Sequence, residues 1–206
     1  PYAFIMRKGT VAGHALKNNS VPSVKNREVK KQLFVNDEKT LCSRESALQR
    51  IINHTPVKNS VVIATTGFSG RELFAIDDRH NHLYMVGSMG CASSLGLGVA
   101  LARPDLVTVV IDGDGAALMR MGNFATLGTY GHSKLIHILL DNEVHDSTGA
   151  QATVAGNINF AEIAAACGYG VSYKGSDVDL IDALFKTESA SGPRFGHLKI
   201  RPGTIE

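Results

Sequence analysis

Two polar side chains, Asp114 and Asn142, follow apolar runs of the kind that forms buried strands. Residues 107–111 read VTVVI, and residues 135–140 read LIHILL. In a parallel sheet the carboxyl ends of both strands lie at one edge, where open α/β sheets bind their ligands. Carboxylate and amide oxygens are the ligands that a hard cation such as Mg²⁺ prefers. The pattern therefore predicts that Asp114 and Asn142 meet at one site, although they are distant in the sequence.

The turn that carries Asp114 is rich in glycine. Gly113 and Gly115 flank the aspartate, and glycine lets the backbone approach a phosphate closely. A helix that starts after Gly115 would point free N–H groups at the same anion. A glycine-flanked aspartate after a strand is often only a tight turn. Asp114 therefore indicates a ligand site only in combination with Asn142.

The remaining elements must position these residues. Apolar periodicity predicts helices at 41–54, 91–102, 160–167 and 177–187, one after residue 67 and one after residue 115. It predicts strands at 60–64, 83–86, 107–111, 135–140, 170–173 and 195–200. Thr40 or Ser43 is the expected N-cap of the first helix. Segment 91–102 has almost no polar side and should be a buried, closely packed helix. Strands that alternate with helices indicate a doubly wound, mainly parallel sheet with helices on both faces.

The composition excludes several classes of protein. The chain has 206 residues, 44% of them hydrophobic, and a formal net charge of +2. This charge is too small to indicate nucleic acid or a membrane surface, and no apolar run reaches the roughly 20 residues of a membrane span. Cys42, Cys91 and Cys167 are odd in number and widely spaced. We therefore expect reduced thiols and a cytoplasmic location.

The first part of the chain differs from the rest. Residues 2–6 read as the last strand of a preceding domain, and residues 7–38 read as a polar, basic linker. We therefore divide the chain into 1–38, the end of a preceding domain plus linker, and 39–206, the ligand-binding domain. The chain is expected to be the C-terminal part of a longer protein.

Four blocks, in this order, carry a resemblance to a known family. They are TTGFSGREL (65–73), GSMGCASSLGLGVALARPD (87–105), GDG (113–115) and LLDNEVHDSTGAQ (139–151). Together they resemble the diphosphate-binding domain of the thiamine-diphosphate-dependent decarboxylases. The resemblance implies the thiamine diphosphate-binding fold and non-oxidative decarboxylation of a 2-keto acid. The nearest members act on phosphonopyruvate, giving phosphonoacetaldehyde and CO₂, and the next act on sulfopyruvate.

The resemblance also implies roles for individual residues. Asp114 and Asn142 would give side-chain oxygens to Mg²⁺, and Val144 its backbone carbonyl. Met89 would lie beneath the bent cofactor as its fulcrum. The expected cofactor-binding residues are Thr66, Gly67, Ser69, Gly87, Ser88, Met89, Gly113, Asp114, Gly115, Ala116 and Asn142.

His145, Met89 and Thr148 are the expected catalytic residues. As an imidazolium, His145 could pair with an anionic phosphonate, and Asp146, Ser147 and Thr148 could orient it or the substrate. A solvent-facing loop histidine is the plain alternative for His145.

Two positions depart from the family pattern. Asp141 stands where an asparagine is usual, which could perturb the charge of the site. Ala150 stands where glycine is expected, and alanine adopts a positive backbone angle less readily.

The family also implies a partner. Its chemistry uses a glutamate on a separate pyrimidine-binding domain, usually across a dimer interface, and residues 1–38 offer no candidate for that domain. We therefore expect this chain to be inactive alone and to act in a homo-oligomer, a dimer or larger, or with a second subunit. The alternatives are a sulfopyruvate decarboxylase subunit, an acetolactate synthase-like carboligase and a non-catalytic cofactor-binding subunit.

Overall fold

Seven parallel strands form the central sheet of the computed structural model, which describes residues 6–13, 15, 17, 20–24, 27–35, 41–188 and 191–203. The strands of this sheet are β1 (Lys30–Phe34), β2 (Ser60–Ala64), β3 (His82–Tyr84), β4 (Val107–Gly113), β5 (Leu135–Asp141), β8 (Val171–Gly175) and β9 (Arg194–Lys199). Their order across the sheet is β1-β8-β9-β5-β4-β2-β3. A short antiparallel hairpin, β6 (Val144–His145) and β7 (Gln151–Ala152), follows β5.

Helices cover both faces of this sheet. They are α1 (Arg44–His54), α2 (Phe68–Ile76), α3 (Ala92–Ala102), α4 (Asp114–Met119), α5 (Asn123–Tyr130), α6 (Phe160–Ala166) and α7 (Asp179–Lys186). One apolar core joins the sheet to α1, α2 and α7, and the other joins it to α3, α5 and α6. Along β4, Val109 and Ile111 enter the first core and Val110 enters the second, as the alternation of side chains along a strand requires. The predicted doubly wound α/β fold is confirmed.

The first part of the chain contributes more to the sheet than a linker would. β1 pairs in parallel with β8, from Lys30 beside Val171 to Phe34 beside Gly175. Arg27 also donates hydrogen bonds to the backbone carbonyls of Gly128 and Gly168. The interpretation of all of 7–38 as a connector was therefore wrong for this segment. It missed β1 because four of the five residues are exposed, and an edge strand that pairs through its backbone needs no apolar period. The proposed boundary at 38/39 stays a prediction, and residues 2–5 of the expected first strand lie outside the described residues.

The predicted helix 91–102 is present as α3, but its surroundings differ from the expectation. A Cβ on Gly96 would overlap the side chain of Val110, which confirms that this helix packs closely on the sheet. Leu95 and Leu101 are nevertheless 38% and 55% exposed. Apolar residues occur all around this helix, but the sheet covers only one of its sides. The helix is therefore buried on that side and exposed on the other.

Local signals fix the start of α1. The Ser43 hydroxyl accepts a hydrogen bond from the Ser46 N–H at 3.1 Å, so Ser43 is the N-cap; the alternative, Thr40, lies outside the described residues. The three cysteines are free thiols. In the part of the chain that the structure describes, no helix combines the length and the apolar character that crossing a membrane requires.

Candidate cofactor and metal site

A cavity lies at the carboxyl ends of β2, β4 and β5. The chain runs from β2 outward to β3 and then returns to β4 on the other side of β2, so the cavity is at the switch point where such sheets bind ligands. Most of the predicted site residues line it: Thr66, Gly67, Ser69, Met89, Gly113, Asp114, Gly115, Ala116, Asn142, Val144 and His145.

Asp114 lies at this cavity because β4 ends one residue before it. In the sheet Gly113 is beside Leu140, so the residues that follow β4 and β5 are neighbours. Asp114 is 3% exposed, and the Thr153 hydroxyl donates to its Oδ2 at 2.5 Å. Burial raises the pKa of the Asp114 carboxyl, and the charge of Asp141 raises it further, against the opposing hydrogen bond from Thr153. Among the described residues, no cationic side chain forms an ion pair with Asp114, so a cation would relieve an uncompensated buried charge.

Asn142 follows β5 with its side chain held at both ends. Its Nδ2 donates to Asp146 Oδ2 at 2.6 Å, and its Oδ1 accepts from the Val144 N–H at 3.3 Å. The second lone pair of Oδ1 remains for a further partner. The Asn142 amide therefore has a defined orientation at the cavity.

The donor set fits a hard cation. Asp114, Asn142 and Val144 offer one carboxylate, one amide oxygen and one peptide carbonyl, which is the oxygen chemistry that Mg²⁺ selects. Within the described ranges, no group of three histidine, cysteine, aspartate or glutamate side chains could hold a metal ion. The candidate metal site therefore depends on the amide and carbonyl oxygens as well as the carboxylate.

The negative charge of Asp141 is compensated locally. Its Oδ2 accepts from His197 Nε2 and from Lys199 Nζ, both at 2.7 Å, and its Oδ1 accepts from the Glu143 N–H at 3.0 Å. Burial raises the pKa of the Asp141 carboxyl, but the hydrogen bonds and charges of His197 and Lys199 bring it below its usual value. The departure from asparagine at this position is thus matched by a half-buried lysine and a buried histidine.

Gly115 brings His145 and Met89 together. A Cβ at Gly115 would lie 2.7 Å from His145 Nδ1 and 3.0 Å from Met89 Cε. Only a hydrogen fits there, because both side chains approach the first turn of α4 from outside. His145 is half-buried and lines the cavity, so it is not the solvent-facing loop histidine that the sequence left open.

Two helices begin at the cavity without a side-chain cap. Gly67 precedes α2 and Gly113 precedes α4, and neither can provide a capping oxygen. Gly67 has φ +100°, and Ser69 is buried in the first turn of α2. The first N–H groups of α2 and α4 are thus available to an anion at this edge. This arrangement fits a diphosphate beside the cation.

The remaining predicted residues lie outside this cavity lining. Gly87, Ser88 and Gly90 have φ values of +70°, +46° and +83°, which describe a tight left-handed turn around Met89. Met89 reaches the cavity, but Gly87 and Ser88 do not line it. Thr148 is exposed and does not line it either; its hydroxyl donates to the His145 carbonyl at 3.3 Å and contacts Gln151 Oε1 at 3.0 Å. Direct contact of Thr148 with a substrate is therefore not supported by this arrangement.

Arg44 was missed by the sequence reasoning. It is the first residue of α1, is 5% exposed, and forms ion pairs at 2.6 Å with both Glu72 and Asp146. Asp146 is 102 positions away in sequence, so no local signal joins the pair. From the sequence alone, an arginine at the start of an amphipathic helix is expected to be exposed. Only the tertiary contacts show that Arg44 is buried.

The doubly wound sheet, with hard-cation donors and open helix starts at its switch point, has the arrangement expected of a domain that binds a phosphate-bearing coenzyme. Residues 67–195 match the family model described as "Thiamine pyrophosphate enzyme, C-terminal TPP binding domain". The chain belongs to this family; thiamine pyrophosphate is the same compound as thiamine diphosphate.

Individual relatives agree with this assignment. The chain is 42% identical to a phosphonopyruvate decarboxylase of Streptomyces viridochromogenes over its whole length and 51% of that protein. It is 38% identical to the sulfopyruvate decarboxylase subunit beta of Methanothermobacter thermautotrophicus, across 81% of this chain and 86% of that subunit. A crystal structure of a putative thiamin diphosphate-dependent enzyme from Mycobacterium smegmatis superposes with a TM-score of 0.62 at 16% identity, covering 88% of this chain and 35% of that one. The last comparison supports the fold. The chain spans about half the length of the phosphonopyruvate decarboxylases it matches.

Proposed function

We propose that this chain supplies the diphosphate- and Mg²⁺-binding half of a thiamine diphosphate-dependent 2-keto acid decarboxylase. The proposed reaction converts phosphonopyruvate to phosphonoacetaldehyde and CO₂. The observation that carries the proposal is the convergence of Asp114, Asn142 and Val144 with Met89 and His145 on one cavity. When bound, the coenzyme supplies the electron sink that the loss of CO₂ from a 2-keto acid requires.

The residues of this chain then have distinct proposed roles. Asp114 and Asn142 give side-chain oxygens to Mg²⁺ and Val144 its carbonyl, so that the cation anchors the diphosphate. Ser69 and Thr66 add hydroxyl groups, and the backbone at Gly67, Gly113, Gly115 and Ala116 closes around the phosphates. Met89 would lie against the bound coenzyme, and the turn that includes Gly87 and Ser88 would hold its pyrimidine ring.

His145 is proposed to face the substrate. It packs on Gly115 beside Met89, which is where the reacting end of the coenzyme would lie if Met89 supports it. An imidazolium there would pair with the distal anion of the substrate. Thr148, bonded to the His145 carbonyl, would act by supporting the His145 loop.

The other half of the site is proposed to come from a pyrimidine-binding domain. This proposal is supported by the relatives, since the phosphonopyruvate decarboxylases are about twice as long as the region matched. The missing half would be on the same polypeptide or on a second subunit, and the complete enzyme would be an oligomer that acts in the cytoplasm on a small-molecule substrate.

A second candidate substrate is sulfopyruvate. It is favoured by one observation: a sulfopyruvate decarboxylase subunit beta matches this chain across most of its own length. A sulfonate and a phosphonate make similar demands on a cationic subsite. No feature of the cavity favours an acetolactate synthase-like carboligase or a non-catalytic cofactor-binding subunit over a decarboxylase.

The decisive experiment is a substrate comparison. The chain is combined with its pyrimidine-binding partner, thiamine diphosphate and Mg²⁺, and CO₂ release is measured from phosphonopyruvate, sulfopyruvate and pyruvate. The proposal expects phosphonopyruvate to have the highest kcat/KM and expects the chain alone to release no CO₂. A higher value for sulfopyruvate would transfer the assignment to that substrate, and turnover by the chain alone would contradict the divided site.

Variants of two site residues separate the enzyme from a non-catalytic protein. Asp114→Ala and Asn142→Ala should each abolish Mg²⁺-dependent coenzyme binding and turnover, because each removes a proposed metal ligand. If both variants bind the coenzyme and turn over as the wild type does, the metal assignment is wrong.

A further inference from the structure

Asp146 forms the centre of a network that holds Asn142, and both Asp146 and its partner Arg44 line the cavity beside it. Its Oδ2 accepts hydrogen bonds from Asn142 Nδ2 and from an Arg44 guanidinium N–H, both at 2.6 Å, and from the Gly203 N–H at 3.2 Å. The Asp146 side chain is 10% exposed. Three donors therefore converge on a single carboxylate oxygen.

Arg44 holds Asp146 in place and is itself held on several sides. It pairs with Glu72 at 2.6 Å, donates to the Gly203 carbonyl at 3.1 Å, and lies 5.7 Å from the centre of the Phe68 ring. These contacts come from α2 and from the last described segment of the chain, 191–203. Because Arg44 is fixed at the start of α1, the carboxylate of Asp146 has one position rather than several.

The chemistry of an asparagine ligand explains what this network can do. A carboxamide coordinates a cation through Oδ1, whereas its NH₂ group is a donor and cannot. The two orientations of the amide differ by a half-turn of the terminal group and have almost the same shape. An ionised carboxylate only accepts hydrogen bonds, so Asp146 can bind Nδ2 and repels Oδ1.

We propose that Asp146, fixed by Arg44, is a positioning residue that locks the Asn142 amide with Oδ1 toward the metal. This inference rests on the proposed function, since it assigns a task to Asp146 only if Asn142 binds Mg²⁺. It also gives Asp146 and His145, neighbours in sequence that both line the cavity, different tasks: His145 packs on Gly115, while Asp146 acts through Asn142.

A purely structural role for the Arg44–Asp146 pair differs from this one in a measurable property. A structural pair affects the melting temperature and leaves the Mg²⁺ requirement of the folded chain unchanged, whereas a positioning residue changes the Mg²⁺ requirement. The test therefore measures both quantities.

The experiment compares Asp146→Asn with the wild-type chain, each combined with the pyrimidine-binding partner. An asparagine at 146 keeps the shape but loses the negative charge and can donate as well as accept, so it selects the orientation of Asn142 less strongly. The probe is thiamine diphosphate, and calorimetry measures the Mg²⁺ concentration that gives half-maximal binding. We expect this concentration to rise about tenfold, as replacement of a residue that orients a metal ligand usually causes. A value within twofold of the wild type would overturn the inference.

The Asn142→Asp background provides a second, sharper arm. A carboxylate at 142 has two equivalent oxygens, so it has no orientation to be selected. Asp146→Asn should then no longer raise the Mg²⁺ requirement. If Asp146→Asn also raises the Mg²⁺ requirement about tenfold in this background, Asp146 does not act by orienting the amide of Asn142. That result would overturn the inference.

Asp182→Asn is the matched control. Asp182 pairs with Arg50 at 2.7 Å between α7 and α1 and has a side chain that is 22% exposed, so it resembles Asp146 as an ion-pair partner but lies away from the cavity. It should leave the Mg²⁺ requirement at the wild-type value. Melting temperatures without Mg²⁺ identify variants that are unfolded in the assay. If Asp146→Asn is one of them, Asp146→Ser is measured instead with the same expectation and the same overturning result.

The outcomes also separate this inference from the proposed function. If the wild-type chain, combined with its pyrimidine-binding partner, binds thiamine diphosphate equally well with and without Mg²⁺, or not at all, the proposed function and this inference are both overturned. A wild-type chain with clear Mg²⁺ dependence and an Asp146→Asn variant that matches it would overturn the positioning role alone.

Discussion

At the scale of single residues, backbone strain is concentrated in the segments that build the site. Ser88, Glu143 and Ala150 have φ values of +46°, +63° and +58°, and for residues other than glycine this conformation costs about 1–2 kcal/mol each. All three lie in the GSMG turn or in the segment that follows β5. Asp141 supports one of them by accepting from the Glu143 N–H. Strain that the surrounding structure maintains at such positions is typical of ligand-binding sites.

Ala150 allows this strain to be measured. Ala150→Gly should raise the free energy of unfolding by roughly 0.5–1 kcal/mol, because relief of the left-handed conformation outweighs the added chain entropy of glycine. Ala125→Gly is the control: Ala125 is exposed in α5, and glycine should cost up to about 1 kcal/mol in a helix. Urea denaturation measures both, and destabilisation by Ala150→Gly would contradict the assignment of strain.

The compensation of Asp141 gives a second prediction. Lys199→Met should lower the free energy of unfolding by about 1–3 kcal/mol, because a buried carboxylate loses a charged donor. Glu143→Gln removes only the other, exposed partner of Lys199 and should cost less than about 1 kcal/mol. Adding Asp141→Asn to Lys199→Met should recover most of the loss. If the double variant is no more stable than Lys199→Met, the charge of Asp141 is not what Lys199 compensates.

The roles of some of these residues can be predicted from the sequence and those of others cannot, for a physical reason. Asp114 and Asn142 follow the ends of two apolar strands, so their meeting at the cavity could be predicted, whereas Met89 was assigned from the resemblance of its GSMG segment to the family. Arg44 could not be predicted, because its role depends on contacts with residues far along the chain. The sequence indicates Asp146 only as a residue that could orient His145 or the substrate, and its contact with Asn142 becomes clear from the fold.

At the scale of elements, the start of α4 is the most constrained point of the site. Gly115 is in the first turn of this helix, against both His145 and Met89. Strands and helices with a strong apolar period were predicted within a few residues of their observed bounds, except that the single helix expected after residue 115 is two helices, α4 from Asp114 and α5 from Asn123. The exposed strand β1 was missed, and the exposed side of α3 was not expected, because the apolar pattern does not reveal which side of an element meets a neighbour.

The constraint at Gly115 predicts a contrast between two glycines. Gly115→Ala should lower the free energy of unfolding by about 1–3 kcal/mol through overpacking, and should weaken Mg²⁺-dependent binding of thiamine diphosphate by displacing His145 or Met89. Gly98→Ala is the matched control, because a Cβ at this exposed position in α3 meets nothing within 4 Å; it should stabilise the chain by roughly 0.4–1 kcal/mol. Chemical denaturation and calorimetry provide the two measurements. If Gly115→Ala binds thiamine diphosphate as the wild type does, the packing of His145 and Met89 on Gly115 does not contribute to coenzyme binding.

At the scale of the whole molecule, the chain holds one half of the proposed site at one edge of a sheet. The cation donors, the helix starts and Met89 all lie at the carboxyl ends of the strands, while the region matched is about half of the longer relatives. The fold and the identity of the family followed from the order of four sequence blocks. The partner cannot be described from this chain, because the contacts that would define it belong to another domain.

Removal of the metal gives a prediction for the chain as a whole. Thiamine diphosphate with Mg²⁺, at a concentration about 100 times the dissociation constant, should stabilise the folded chain by about 2.7 kcal/mol. For a chain of this size that corresponds to a rise in melting temperature of roughly 5–10 °C. EDTA should reverse the rise, because the diphosphate loses its bridge to Asp114 and Asn142. A rise that persists in EDTA would show that the coenzyme binds without the cation.

The position of β1 has a consequence for solubility. β1 is the outer strand on one side of the sheet and has two lysines, Lys30 and Lys31, while β3, on the other side, has only three residues. Charged or very short edge strands discourage pairing between molecules. A chain shortened to residues 39–206 would instead have β8 as its edge, with the buried side chains of Val171 and Tyr173 beside unpaired backbone groups. Such a shortened chain should self-associate through β8, and β1 would then be the segment that protects the sheet from aggregation.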